Sequence, residues 1–391
     1  MTQHETTWSV PETEVVQQIS DRLDADGTDV LATIVDVEGN AYRRPGAKML
    51  LDEGGTGVGS ITAGCLEDEL LRVGDEVRET GRPELVTYDL MEDDEDDVWG
   101  LGVGCNGVIE VLLEPLDETY RPAVEAFADG RDVGIVTVLD SDDPDFAQGD
   151  RAYYHPGDDA LCDPDGATAT GWPAASIAGP AAEVAARGGA DTLVVETVAG
   201  EIEVFVDGLA APADLVVFGT GHDVGPVTEF AAKNDFRVTV VGFRGAVDLE
   251  ERFPAADRIV TTSPADVGED LTLDDDTYAV VMTHNYVDDR LTVEALFDAG
   301  VPYVGLMGPR ERFERMRDDI EDDGRQFTED ELSAMYTPVG LDLGGGSPFQ
   351  IAHSIVAEAL AVSNDRTPRH LKEREGPIHE RVEVDADAPA Q

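Results

Sequence analysis

Beyond Asp214 the sequence alternates short apolar runs with segments of helical periodicity, and this alternation limits the folds open to the chain. The strand-like runs are LVVFGTG, FRVTVVGF, DRIVTT, TYAVVMTH and VPYVGLMG. Between and after them, helices are predicted for HDVGPVTEFAAKN, VDDRLTVEALFDAG, PRERFERMRDDIEDDG and SPFQIAHSIVAEALAVSN. Strands that are apolar at successive positions are buried on both faces. The pattern therefore predicts an α/β fold with a parallel sheet covered by helices on both sides.

The first half of the chain is less regular but also mixes helices and strands. An amphipathic helix is predicted from Pro11 to Gly27, strands over Val30–Val37 and Lys48–Asp52, and a helix that starts near Cys65. Further strands are predicted for ELVTYDL, NGVIEVLLEPL, VGIVTVLDS, TLVVETVA and EIEVFVDGL. The Gly-, Pro- and Ala-rich stretch from His155 to Glu183 is interpreted as a long surface loop.

These patterns divide the chain into two domains and a tail, a number that suits 391 residues. A mixed α/β domain is predicted for residues 11–209, with a variable segment at about 120–209. LAAPAD, from Leu209 to Asp214, is the predicted linker to a parallel-sheet α/β domain over residues 214–365. Residues 366–391 are charged and lack periodicity, and they are predicted to be disordered.

The charge of the chain is strongly negative, with 84 acidic against 27 basic side chains and a formal net charge of −57. Lysines are rare: Lys48, Lys233 and Lys372. An acidic, lysine-poor surface suits a salt-rich cytoplasm, because salt screens carboxylate repulsion. We therefore expect a halophilic archaeal source. A nucleic-acid partner is not expected, since phosphate binding needs a basic face.

The N-terminus has neither a basic segment nor an apolar core typical of a signal peptide. No run of about 18 apolar residues predicts a membrane span. These observations predict a cytoplasmic protein.

A glycine turn, Gly219-Thr220-Gly221, follows a predicted strand and precedes a predicted helix. This is the context of a phosphate or dinucleotide loop, where helix N–H groups face the ligand. The third glycine of the dinucleotide motif is replaced by Val224, and the next strand ends in Gly242-Phe243-Arg244 without the usual acid. Arg244 suits a 2′-phosphate or another anion. The turn is either a ligand loop or a structural turn.

Two histidines follow predicted parallel strands, His222 after the first and His284 after a later one. Both should lie at the carboxyl edge of the sheet, where open α/β folds bind ligands. A histidine there can act as acid, base or anion contact, with Asp223 and Asn285 as polar neighbours. The alternative is a capping or core histidine.

Three cations, Arg43, Arg44 and Lys48, occur within the six residues RRPGAK. Their concentration is unexpected in so acidic a chain, and an anionic ligand such as a phosphate or carboxylate would explain it. The alternative is pairing with nearby carboxylates.

Two cysteines, Cys65 and Cys105, lie beside glycines where loops meet helices or strands, and Asn106 follows the second. Such thiols are accessible, and one at a helix start can have a lowered pKa. They are candidates for a nucleophile or a sulfur ligand, or they are small buried residues. Cys162, in a polar segment, is interpreted as incidental. Three cysteines without a CxxC motif indicate neither a disulfide framework nor a zinc knuckle.

Taken in order, these segments resemble the XdhC/CoxI family over most of residues 30–365. The residues that carry the resemblance are AYRRPGAKMLL, GSITAGCLEDEL, GLGVGCNGVIEVLLEPL, FGTGHDVGPV, VMTHNY, YVGLMGPRER and PVGLDLGGGSPFQIAHSIVAEALAV. The resemblance implies an N-terminal XdhC/CoxI domain and a C-terminal Rossmann-like domain. It also implies an accessory factor, often dimeric, that binds and protects molybdenum cofactor. Such a factor promotes cofactor sulfuration by a cysteine desulfurase and passes the cofactor to an apo molybdenum hydroxylase of the xanthine-dehydrogenase or carbon-monoxide-dehydrogenase type.

On this resemblance, the cationic cluster suits the cofactor's phosphate and a cysteine suits its molybdenum–sulfur centre, Cys105 first and Cys65 second. The remaining candidate cofactor-binding residues are Asn106, Gly219, Gly221, His222, Asp223, Arg244, His284 and Asn285. No catalytic residue is predicted, because the role implied is that of a maturation chaperone. The alternatives are an NAD(P)-dependent oxidoreductase that uses the Gly219 turn, against which the missing strand-end acid argues, and a regulatory nucleotide-binding module.

Overall fold

The computed structural model describes residues 8–25, 27–39, 43–62, 64, 66–89, 107–157, 160–243 and 248–373. They form two compact units, one within residues 1–211 and one spanning Pro212–Glu373. Most of the predicted tail, residues 374–391, lies outside the described part. Among the described helices, none combines the length and apolar character needed to cross a bilayer.

The described part of the N-terminal unit contains two antiparallel sheets of five strands each. Its elements are α1 (Glu12–Leu23), β1 (Val30–Gly39), β2 (Lys48–Leu51), β3 (Gly57–Gly59), α2 (Glu67–Thr80), β4 (Glu84–Asp89), β5 (Gly107–Pro115), α3 (Arg121–Ala128), β6 (Val133–Ser141), β7 (Arg151–Tyr154), β8 (Leu161–Cys162), α4 (Ala174–Arg187), β9 (Ala190–Glu196) and β10 (Glu201–Leu209). The strand orders are β3-β2-β1-β5-β4 and β8-β7-β6-β10-β9.

The two sheets of this unit pack against each other, because side chains alternate between the two faces of each strand. One face of the first sheet packs on α2, and one face of the second packs on α4. The other two faces meet at Val35, Leu112, Leu139 and Phe205, with α1 and α3 closing one end of the layer.

The predicted surface loop over His155–Glu183 is wrong, because this stretch contains β8 and most of α4. Its small residues serve close packing instead. A Cβ added at Gly208 of β10 would lie 1.9 Å from the carbonyl oxygen of Val184, so α4 lies directly on the strand. Pro180 is inside the helix, where proline normally signals a break.

The C-terminal unit is built on a parallel sheet of six strands in the order β13-β12-β11-β14-β15-β16. Its elements are β11 (Asp214–Phe218), α5 (Val224–Ala232), β12 (Arg237–Gly242), α6 (Leu249–Arg252), β13 (Arg258–Thr261), α7 (Val267–Asp270), β14 (Thr277–Val281), α8 (Tyr286–Ala299), β15 (Tyr303–Leu306), α9 (Arg310–Asp322), α10 (Glu329–Ser333), β16 (Met335–Tyr336) and α11 (Pro348–Ser363).

This parallel sheet is buried on both faces, which confirms the predicted α/β class. One face packs on α5 and α11, and the other packs on α7, α8 and α9. The order of the strands reverses between β11 and β14. In open α/β sheets, ligands bind at the carboxyl edge beside such a reversal.

Candidate functional site

The turns that follow β11 and β14 lie against each other at the carboxyl edge of the parallel sheet. Gly219 has a φ of 143°, and a Cβ added there would lie 2.6 Å from the carbonyl oxygen of Met282. A Cβ added at Gly221 would lie 3.4 Å from Nε2 of His284. Gly219 is therefore required by both its backbone conformation and the close approach of the two turns.

A cavity of about 530 Å³ opens beside these two turns. It is lined by Gly219, Thr220, Phe243, Thr283, His284, Asn285, Tyr286 and Asp288. The structure thus brings together Gly219, His284 and Asn285 among the candidates, with Gly221 next to the His284 ring. His222 is exposed, and neither it nor Asp223 is among the lining residues. Phe243, Thr283, Tyr286 and Asp288 were not singled out from the sequence.

His284 has a left-handed backbone, with a φ of 61°. A side chain in this region costs roughly 1–2 kcal/mol relative to the ordinary helical region. The next residue, Asn285, caps the N-terminus of α8, and its Oδ1 accepts hydrogen bonds from the backbone N–H groups of Val287 and Asp288. A strained residue beside a cavity supports a hypothesis of function.

Phe243 lies directly after β12, where dinucleotide-binding sheets usually place an acid for the ribose hydroxyls. It lines the cavity and its ring stacks on Phe218 with centroids 6.2 Å apart. Val224, at the position of the third motif glycine, is fully buried in the core. Two features of the usual dinucleotide site are thus replaced by apolar side chains. Arg244, the candidate anion contact, lies outside the described residues.

Tyr286 forms another wall of the cavity and is held from α9. Its hydroxyl donates a hydrogen bond of 2.6 Å to Asp319, and the guanidinium of Arg315 lies 5.3 Å from its ring centroid. Burial and the hydrogen bond to Asp319 raise the pKa of Tyr286. The phenol is therefore neutral at physiological pH.

The three cations of RRPGAK have different surroundings in the N-terminal unit. The Nζ atom of Lys48 lies 2.5 Å from Oδ2 of Asp207, with these side chains 10% and 9% exposed. It also donates to the carbonyl of Gly46 at 2.9 Å. Burial disfavours the charged ammonium, but the Asp207 carboxylate outweighs it and raises the pKa of Lys48. These contacts favour the alternative of internal pairing for Lys48.

Arg43 and Arg44 are both exposed. Arg43 donates to the hydroxyl of Ser60 at 3.0 Å. Arg44 lies 3.4 Å from a carboxylate oxygen of Glu12, and these two side chains are 50% and 64% exposed. Exposed pairs of this kind are weak and exchange readily with another anion. The two arginines, unlike Lys48, keep surface-accessible guanidinium groups.

The candidate sulfur ligands Cys65 and Cys105, with Asn106, lie outside the described residues. Cys162 is partly buried in β8 with a free thiol. Within the described ranges, no group of three or more histidine, cysteine or acidic side chains is arranged to hold a metal ion. The predicted molybdenum contact at Cys105 stays a prediction.

A parallel sheet with a ligand-sized cavity at its reversal point defines the C-terminal unit as a Rossmann-like domain. Comparison with known proteins specifies this class. Residues 215–359 match the family model described as the XdhC Rossmann domain, and residues 23–89 match the model of the XdhC and CoxI family. The chain belongs to the XdhC/CoxI family.

Individual relatives extend this similarity over nearly the whole chain. A protein of Bacillus subtilis (strain 168), described as a probable subunit of xanthine dehydrogenase, is 31% identical over 339 residues, covering 85% of this chain and 92% of the relative. A crystal structure from Bacillus halodurans, described as a xanthine dehydrogenase, shares 28% identity with a TM-score of 0.71, covering 91% of this chain and 96% of that one. The uncharacterized protein YqeB of Escherichia coli (strain K12) is 26% identical over 46% of this chain and 32% of its own length.

Proposed function

We propose that this protein is an accessory factor that matures a xanthine-dehydrogenase-type molybdenum hydroxylase. It binds molybdenum cofactor as cargo, promotes its sulfuration by a cysteine desulfurase, and delivers it to the apo-hydroxylase, acting as a homodimer. The observation that carries the proposal is the similarity to the Bacillus subtilis relative, whose name ties it to xanthine dehydrogenase and of which 92% is covered.

The cavity at the β11 and β14 turns supports this proposal by its chemistry. A pterin is a flat heterocycle with hydrogen-bond donors and acceptors on its edges. The cavity offers the polar groups of Thr220, Asn285 and Asp288 beside the rings of Phe243 and Tyr286. Its volume of about 530 Å³ is in the usual range for small-molecule sites. His284 adds a ring N–H group that can donate a hydrogen bond to an anionic part of the cargo.

The cargo should be lost when His284 is removed. Full-length protein from cells that make molybdenum cofactor is expected to contain molybdenum and pterin, measured by mass spectrometry and by fluorescence of the oxidised pterin. His284→Ala should retain at least about tenfold less of both, since a charge-assisted hydrogen bond contributes about 1.5–3 kcal/mol. His370→Ala, which removes an exposed histidine in the described part of the same unit, is the matched control.

The result also separates the proposal from an NAD(P)-dependent oxidoreductase. Wild-type protein that contains neither molybdenum nor pterin but binds NAD(P)H would overturn the maturation role. Phe243, in the place of the ribose-binding acid, argues against NAD(P)H binding.

Arg43 and Arg44 are proposed to contact the phosphate of the cargo. Replacing both with alanine is expected to raise the Kd for the cofactor about tenfold, because arginine–phosphate hydrogen bonds are charge-assisted. The free energy of unfolding should hardly change, since both side chains are exposed. Arg72→Ala with Arg131→Ala removes the same charge from exposed positions of this unit and should leave the Kd unchanged. Equal Kd values for the two double variants would remove the arginines from the site.

A further inference from the structure

Asp289 is a buried carboxylate, 1% exposed, one turn into α8 behind the wall of the cavity. Its Oδ1 accepts hydrogen bonds from both the backbone N–H and the hydroxyl of Thr283. Its Oδ2 accepts from the guanidinium of Arg312 on α9. One carboxylate therefore joins the cavity wall to a second helix, with both oxygens satisfied.

Thr283 passes this constraint to the residue beside it. Its hydroxyl lies 2.5 Å from Asp289 and 3.2 Å from the carbonyl oxygen of Asn285. A hydroxyl has one hydrogen, and the shorter distance assigns it to Asp289. The hydroxyl oxygen then accepts from the backbone N–H of Asn285 at 3.1 Å. This bond closes a loop around His284, whose φ of 61° is left-handed.

A glycine makes room for the side chain of Arg312 beside this contact. Gly308, after β15, has a φ of 133°, and a Cβ added there would lie 2.9 Å from Cδ of Arg312. The glycine leaves the space in which the arginine chain lies. The guanidinium also lies 5.6 Å from the ring centroid of Tyr286. The same side chain therefore contacts Tyr286 in the cavity wall and Asp289 behind it.

We propose that Asp289 and Arg312 are positioning residues that hold His284, through Thr283, in the conformation that contacts the cargo; this inference rests on the proposed function. A buried ion pair adds little net stability compared with an apolar pair. The role of the Asp289–Arg312 pair is instead to fix the geometry of His284, whose backbone is strained. Neither residue lines the cavity, and neither is expected to touch the cargo.

The sharpest test changes the carboxylate behind the cavity wall. Asp289→Asn should retain about tenfold less molybdenum and pterin in full-length protein, the equivalent of one hydrogen bond of about 1.4 kcal/mol. Thr283→Val removes the hydroxyl that joins Asp289 to Asn285 and should lose at least as much. Asp323→Asn, which disrupts an ion pair of Arg290 on the same helix, should match wild type.

A second readout needs no cargo. In cofactor-free protein, the imidazole NMR signals of His284, assigned by their loss in His284→Gln, should shift in Asp289→Asn and Thr283→Val but not in Asp323→Asn. Unchanged signals and unchanged retention in Asp289→Asn would reduce the Asp289–Arg312 pair to a structural role, even if Tm falls. If His284→Ala retains its cargo while the His284 signals still shift in Asp289→Asn, the proposed function of the cavity fails. The positioning of His284 by Asp289 then stands without a role in cargo binding.

Discussion

Replacing Lys48 with methionine is expected to lower the free energy of unfolding by about 3–5 kcal/mol, the usual effect of removing one partner of a buried ion pair. Methionine fills a similar volume but leaves the carboxylate of Asp207, 9% exposed, without its cation. A Cβ at neighbouring Gly46 would lie 2.8 Å from Oδ1 of Asp207, so the carboxylate packs directly against this glycine. Denaturant unfolding of the full-length protein at fixed salt measures the effect.

Lys233 provides the matched control, because it pairs with Glu229 one helical turn away and the two side chains are 64% and 47% exposed. Lys233→Met should change the free energy of unfolding by at most about 0.5 kcal/mol. Adding Asp207→Leu to Lys48→Met should recover most of the lost stability, since both buried charges are then gone. If Lys48→Met instead unfolds like Lys233→Met and loses bound cofactor, Lys48 belongs to the anion site.

Lys48 shows that the sequence predicts where cations cluster but not which groups they pair with. Three cations within six residues are visible in the sequence. Their division into one buried and two exposed side chains is not, because the partner of Lys48 lies 159 positions along the chain. Pairing over such a distance depends on how the two antiparallel sheets pack, and local periodicity carries no information about that.

The fold was predictable where local pattern and tertiary environment agree. The strands of the C-terminal unit are apolar at successive positions because they are buried on both faces. Helix α4 was missed because its sequence is rich in alanine, with Gly179 and Pro180 at its centre. Those small residues let the helix lie close to β10. Close packing thus selects the same residue types that are common in loops, and the sequence pattern predicts a loop.

For the candidate site, the strand-edge rule found Gly219, His284 and Asn285, since each follows a parallel strand. It did not find Phe243 or Tyr286, which also line the cavity, because only glycines and polar side chains are candidates at the strand ends. The Asp289–Arg312 contact was also missed, because its partners are 23 positions apart on two helices. An acid inside a helix gives no signal that it is buried.

The second large effect is expected at Gly219, where alanine should both destabilise the protein and remove the cargo. The φ of 143° is open to glycine but costs a residue with a side chain about 1–3 kcal/mol. The added Cβ also meets the carbonyl oxygen of Met282 at 2.6 Å, which is backbone and cannot rotate away. Relief of this clash requires the β11 turn to move away from the β14 turn.

That movement acts directly on the proposed site, because the cavity is formed by these two turns. We therefore expect Gly219→Ala to retain at least about tenfold less molybdenum and pterin in whatever fraction stays folded, a loss of about 1.4 kcal/mol or more.

Gly225→Ala is the control, for which the opposite change in stability is expected. Apart from its chain neighbours and the backbone of its own helix, no described atom lies within 4 Å of an added Cβ, and alanine favours helix α5 by up to about 1 kcal/mol. Gly225→Ala should thus be as stable as wild type or more so, with its cargo retained. A Gly219→Ala protein that is destabilised yet fully loaded would show that the turn serves the sheet alone, and the cofactor would have to bind elsewhere on the chain.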